Sequence, residues 1–193
     1  MQAAGGTSLS EPRPGRPRLA LLLLVAVAVL VLDIASKHLA VDRLSDRGPV
    51  AVIDGVLHLE LVRNSGAAFG FASGLTVVLS VVAATVVVVI LRAARALRSA
   101  WWAVALGLVL GGAVGNLLDR IFRNPGLFRG RVVDFLALPH WPVFNLADSS
   151  IITGGALMVL LSLRGVRQDG SREVRPAQTS GADSGQDPAT QSD

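Results

Sequence analysis

The sequence predicts an all-α membrane protein of four transmembrane helices with a small extracytoplasmic β-hairpin between helices 1 and 2. Three observations lead there. Hydrophobic residues make up 51% of the 193-residue chain and charged residues only 17%, too little polar surface to cover a water-soluble globule. Charge-free runs recur at 19–32, 64–91, 99–118, 135–147 and 149–163, and a spanning helix needs about 20 mostly apolar residues. The acids outside the two ends of the chain, Asp33, Asp42, Asp46, Asp54, Glu60, Asp119, Asp134 and Asp148, all fall at or near one membrane boundary once four helices are drawn.

Helix 1 is expected near 19–40, where the run 19–32 spans only if it takes Asp33 and Lys37 inside the helix. Arg13, Arg16 and Arg18 before an apolar run imitate a secretory signal peptide, but no A-x-A cleavage site follows, so the run reads as a retained span. Helix 2 is expected near 73–93. Its β-branched stretch Thr85–Ile90 would suggest a strand in water, but a backbone in hydrocarbon must satisfy its own hydrogen bonds, which favours helix. Helix 3 is expected near 99–121, with Gly107, Gly111 and Gly115 forming the small-residue face on which membrane helices pack. Helix 4 is expected near 144–163 and carries Asp148 about one turn inside its start. Between helices 1 and 2, residues 50–63 read as a β-hairpin: Asp54-Gly55 is a favoured two-residue turn, and Leu57, Leu59 and Leu61 alternate with His58 and Glu60. Such a sheet either rests on the bilayer, roofs a cavity or is plain structure. The organisation expected is a disordered cytoplasmic N-terminus at 1–18, a four-helix membrane domain at 19–163 and a disordered cytoplasmic tail at 164–193, the tail being Gly/Ser/Gln/Asp-rich with almost no large apolar residues.

Orientation follows from positive charge in short loops. The turn between helices 2 and 3 holds Arg92, Arg95 and Arg98 and no acid, which places it and both termini in the cytoplasm. Formal net charge is +4, but the arginines are dispersed through an apolar chain, so a nucleic-acid partner is not expected. Zero cysteines exclude disulfides, thiol nucleophiles and Cys-ligated metals. His38, His58 and His140 are scattered without an H-E-x-x-H pattern, and a G-x-x-x-x-G-K-[ST] phosphate loop is absent, Lys37 being the only lysine. Neither a metal nor a cofactor is expected.

An intramembrane carboxylate costs about 2.5–3.5 kcal/mol even on insertion scales and is a functional-site candidate by default. Asp33 has an ordinary explanation in Lys37 at i+4, and Asp119 has one in Arg120 beside it and Asn116 a turn back. Asp148 has only Asn145 at i−3, and Asp134 lies between Val132-Val133 and Phe135. Those two are least explained by structure. Two close carboxylates cannot both ionise, so one stays protonated while the other activates water. Asn64, in Asn64-Ser65-Gly66-Ala67-Ala68-Phe69-Gly70, either orients a substrate carbonyl or caps a turn.

Five segments, in order, resemble the signal peptidase II family of aspartic proteases that cleave bacterial prolipoproteins: 33–37, 64–70, 111–120, 132–135 and 144–148. The resemblance covers roughly 19–163. It implies Asp134 and Asp148 as the catalytic dyad, with Asp33, Lys37, Asn64, Gly66, Asn116, Asp119, Arg120 and Asn145 around it as structural or substrate-positioning groups. It further implies a β-cradle at the hairpin, inhibition by globomycin, and a multi-pass bacterial cell-membrane enzyme working as a monomer near the extracytoplasmic face. The substrate implied is a prolipoprotein cut just before a diacylglyceryl-modified Cys, whose lipid sits among the helices and membrane lipids. The stretch from Arg120 to Asp134 is longer than the family's compact spacing, with Pro125-Gly126 and Gly130 marking a loop excursion. The rival reading is a small proton-coupled transporter or assembly factor using the same acids as a relay. The absence of an internal repeat between the two helix pairs weighs against it.

Overall fold

The structure, a computed structural model, describes residues 17–66 and 74–171. Among them four helices are long and apolar enough to cross a membrane: α1 (Leu19–Leu44), α2 (Gly74–Ala93), α3 (Ala100–Phe122) and α4 (Leu146–Leu163). Three short strands, β1 (Val50–Ile53), β2 (Leu57–Asn64) and β3 (Val132–Ala137), form one antiparallel sheet in the order β1-β2-β3. Residues 67–70 of the expected Asn64–Gly70 segment lie outside the described residues, as do most of the two ends expected to be disordered.

The centre of the bundle is α3, against which each of the other three helices packs. Small residues make this possible. A Cβ on Gly111 would stand 2.6 Å from the carbonyl oxygen of Ala26, closer than real Cβ atoms come. The backbones of α1 and α3 therefore meet at a distance only glycine permits, as the Gly107–Gly111 spacing predicts. Toward the chain termini the core is aliphatic, built on Leu22, Ala26, Leu97, Ala103, Ala105, Leu106 and Leu110. α2 and α4 both lean on α3 rather than on each other, which leaves a gap between them.

The expected helices are all present, α1 running four residues past the expected end. Three differences have physical causes. First, the hairpin is only part of the sheet: β3 adds a third strand, pairing Asn64 with Val132 and Val62 with Asp134. Val132, Val133 and Asp134 are all buried, so the strand shows no polar/apolar alternation by which to read it. Second, the long connection after α3 folds back on its own helix, Gly130 N–H donating to Arg120 O (2.9 Å) and Leu127 N–H to Ile121 O (3.2 Å). The Ser80 hydroxyl of α2 bonds Phe128 O at 2.8 Å, and the chain then enters β3 directly. Third, the first residues of the expected C-terminal tail are tied to the turn between α2 and α3. Gln168 O accepts from the backbone N–H groups of Arg98 and Ser99, both at 3.0 Å, and Val166 O accepts from Trp102 Nε1 at 2.8 Å.

Candidate active site

The site forms where β3 and the start of α4 are folded against each other. Phe144 bridges back to Leu136, its N–H donating to Leu136 O at 3.0 Å and its carbonyl accepting from Leu136 N–H at 2.8 Å. That return sets Asn145, the next residue, beside Asp134. Asn145 is also the N-cap of α4: its side-chain oxygen accepts from Asp148 N–H (3.0 Å), and the Asp148 carboxylate accepts from Asn145 N–H (3.2 Å). This is a reciprocal capping box. Asp148 is thus the third residue of α4, shallower than the full turn expected, because the helix begins at Leu146. The pattern Asn-x-x-Asp ahead of an apolar run was the sequence signal for it.

Asp134 is 1% exposed. Its Oδ1 accepts from Asn145 Nδ2 at 2.6 Å and its Oδ2 from Asn64 Nδ2 at 2.9 Å. Asn64 reaches it because Asn64 pairs with Val132 in the β2–β3 register, putting it diagonally across from Asp134 on the same face. Gly66 N–H donates to Asn64 Oδ1 at 2.7 Å, turning the amide nitrogen toward the acid. Burial pushes the Asp134 carboxyl up to about 6; Asp148 adds to the rise, and the two asparagine donors oppose it.

Asp148 Oδ1 accepts from Asn116 Nδ2 at 2.7 Å. Asn116 Oδ1 in turn accepts from Asn145 Nδ2 (3.2 Å) and from Lys37 Nζ (3.0 Å). Lys37, 1% exposed, completes its contacts with Asp33 at 2.7 Å and Asp119 at 2.9 Å, so its three N–H groups meet three acceptors. Asp33 also accepts from Ala147 N–H at 3.0 Å, tying α1 to the first turn of α4. The Asp33–Lys37 pair is as the sequence predicts. The expected explanation of Asp119 by Arg120 and Asn116 is corrected: Asp119 is bound by Lys37 and by Arg123 Nε, because consecutive helical residues point in different directions. Arg123, not singled out from the sequence, sits at i+4 to Asp119, where it could have been found.

Arg120 is buried, its Nη1 has no hydrogen-bond partner among the described residues, and its charge acts on both Asp134 and Asp148. It lines a cavity of about 330 Å³ in the gap between α2 and α4, together with Asn116 and Asp148 at one end and Leu79, Val82, Val86 and Val109 along the walls. One end of this space offers carboxylate, amide and guanidinium groups; the rest is aliphatic. All ten expected site residues therefore lie in one connected polar cluster or at its edge.

Four membrane-spanning helices and a short sheet bring together a buried carboxylate, Asp134, and a half-buried one, Asp148, both bonded to asparagines beside a half-apolar cavity, an arrangement of the kind a membrane-embedded aspartic hydrolase requires. Residues 25–164 match the family described as signal peptidase (SPase) II, and the chain belongs to that family. It is 53% identical to the lipoprotein signal peptidase of Streptomyces coelicolor over 161 residues, 83% of this chain and 79% of the relative. It is 52% identical to that of Mycobacterium tuberculosis strain H37Rv over 164 residues, 85% and 81% of the two chains. A solved bacterial membrane enzyme, 26% identical, superposes with a TM-score of 0.69 over 79% of this chain and 99% of that one. The chain is a multi-pass membrane protease, and the transporter or assembly-factor reading finds no support among these relatives.

Proposed function

We propose that Asp134 and Asp148 are the catalytic dyad with which this chain removes signal peptides from bacterial prolipoproteins, cutting just before the diacylglyceryl-modified Cys. The observation that carries the reading is Asn145, one residue bonded to both carboxylates, at 2.6 Å to Asp134 and 3.2 Å to Asp148. Charge balance supports it. Asp33, Asp119, Lys37 and Arg123 form a neutral ion cluster. Arg120, Asp134 and Asp148 form a neutral group when the dyad holds one proton. Burial pushes the Asp134 carboxyl up to about 6, so Asp134 is assigned the proton of the pair, taken up as pH falls through about 6, and Asp148 the part of base.

In the reaction, water between the two acids gives a proton to Asp148 and attacks the scissile carbonyl. Asp134 donates its proton to the developing oxyanion. On collapse of the gem-diol intermediate the C–N bond breaks, Asp148 gives its proton to the leaving amine, and Asp134 takes back a proton from a gem-diol hydroxyl as the carboxyl product forms, which restores the singly protonated pair. The substrate's acyl chains occupy the aliphatic cavity between α2 and α4, and Arg120, whose Nη1 has no hydrogen-bond partner among the described residues, meets a substrate carbonyl. The working unit is residues 19–163 as a monomer in the bacterial cell membrane, with both termini in the cytoplasm and the dyad near the extracytoplasmic face.

The test is incubation of purified D134N and D148N with a diacylglyceryl-modified precursor, followed by mass analysis. Each is expected to lose at least about 10³-fold in cleavage while eluting as folded protein, and globomycin is expected to block the wild type. Near-normal turnover by both variants overturns the assignment.

A further inference from the structure

A second convergence of charge lies on the opposite face of β2–β3 from the dyad. Arg63 pairs in register with Val133, and alternation along a strand turns both away from the Asp134 side. Arg131 stands two residues before Val133, diagonal to Arg63 on that same face. With Phe122, Arg123, Asn124 and Val133 they line a cavity of about 270 Å³. Three guanidinium groups meet there, and no carboxylate lines it. Arg123 is held by Asp119, whose charge is already shared with Lys37. Neither Arg63 nor Arg131 is in an ion pair among the described residues, and both are exposed. Like charges gathered in one concavity repel unless an anion joins them, and the planar fork of arginine matches phosphate oxygens two at a time.

The position of the cavity says which phosphate. Phe122 is the last residue of α3 and is 77% exposed, so the cavity opens where a membrane span ends and an aromatic side chain faces outward beside it. Leu127, in the connection that follows, is 83% exposed. A phosphate in solution has no use for these apolar neighbours, whereas a phospholipid places its phosphate at the span's end and its acyl chains alongside. We propose that Arg63, Arg123 and Arg131 form a binding site for the phosphodiester of an anionic membrane phospholipid, distinct from the proteolytic cavity and independent of the assignment of the dyad.

The experiment uses the full chain purified in a neutral detergent, with native mass spectrometry measuring retained lipid from an equimolar mixture of phosphatidylglycerol and phosphatidylcholine. Wild type is expected to favour phosphatidylglycerol by about tenfold. R63Q/R131Q is expected to bring that preference close to one, and R92Q/R95Q, at the other end of the bundle, to leave it unchanged. Equal loss in both double variants shows diffuse attraction and overturns the site, as does an unaltered preference in R63Q/R131Q. Displacement of the lipid by glycerol phosphate at matched concentration overturns the choice of a lipid over a soluble phosphate. If R63Q/R131Q does not fold, R63K/R131K keeps the charge but not the fork. Its preference is expected to fall at least twofold, and an undiminished value overturns bidentate recognition.

Discussion

Toward the chain termini, α1, α3 and α4 pack through aliphatic side chains and glycine, with Leu22, Ala105 and Leu106 buried and the α3 backbone close against α1. At the sheet end the same three helices bury Asp33, Lys37, Asp119, Arg120 and Asn145, and β3 adds Asp134. One half therefore gains stability from close packing, while the other spends some of it, since each ion inside a membrane protein is costly. The polar half limits the cost in two ways. The ions not assigned to chemistry are paired into a neutral cluster around Lys37. The two acids proposed as the dyad are instead held by asparagine amides, and a carboxyl that meets amides in a buried place keeps a proton more readily than one that meets a cation. The difference teaches that substitutions should separate: those at the sheet end should remove activity more than stability, and those at the terminal end the reverse.

Beyond the two acids themselves, the largest expected effect is at Asn145. N145L removes the donor to Asp134, the contact to Asn116 and the cap of α4 together. Cleavage of a lipidated precursor should fall by about 10³-fold, while loss of the cap costs only about 0.5–2 kcal/mol in unfolding. Activity within tenfold of wild type, alongside a large drop in melting temperature, would reduce Asn145 to a helix cap and erase the contrast between the ends.

A smaller and opposite effect belongs to Gly154, in the body of α4. A Cβ there would stand 2.7 Å from the carbonyl oxygen of Ala105, whereas at Gly155 nothing lies within 4 Å. G154A should cost about 1–3 kcal/mol through forced separation of α3 and α4, with turnover per folded molecule unchanged. G155A, differing by one position, should melt within about 0.5 kcal/mol of wild type. Thermal unfolding in detergent checks both, and equal melting of the two variants would show that the close approach of α3 and α4 contributes nothing.

How much of this could be read beforehand differs between the same two halves. The spans were legible because hydrocarbon imposes length and composition on a helix. The close-packed half was legible because Gly107 and Gly111 repeat at helical spacing. At the sheet end, Asp134 and Asp148 stood out because nothing near them in sequence neutralises either. The pairing of Asp119 with Lys37 was hidden, since it joins two helices far apart in the chain, and the nearer Arg120 faces elsewhere. β3 was hidden because a six-residue strand with its first three residues buried has no period to read. The role of Asn145 was half visible: its spacing to Asp148 marks a cap, but its bond to Asp134 depends on Phe144 returning to Leu136.

The smallest effect sharpens the polar half by itself. Asn64 Nδ2 donates to Asp134 Oδ2 at 2.9 Å, a bond that favours the ionised acid and so holds its carboxyl below where burial alone would set it. N64A removes that donor, and Asp134 then keeps its proton to higher pH. With Asp134 as the acid, kcat/KM falls as pH rises through about 6, a limb that belongs to the coupled pair rather than to one residue. A hydrogen bond worth about 0.5–1.5 kcal/mol corresponds to about 0.5–1 pH unit, so the alkaline limb of N64A should move upward by that amount. Stability follows the same direction. A carboxyl raised from its ordinary 3.8 to about 6 favours the folded state fully at acid pH, and that contribution is lost as pH rises through 6. N64A should therefore shift the loss to higher pH as well, read from melting temperature across pH 4 to pH 8. An alkaline limb that moves downward, or stays in place while the melting profile moves, would make Asp134 the base and Asp148 the proton carrier, reversing the roles within the dyad.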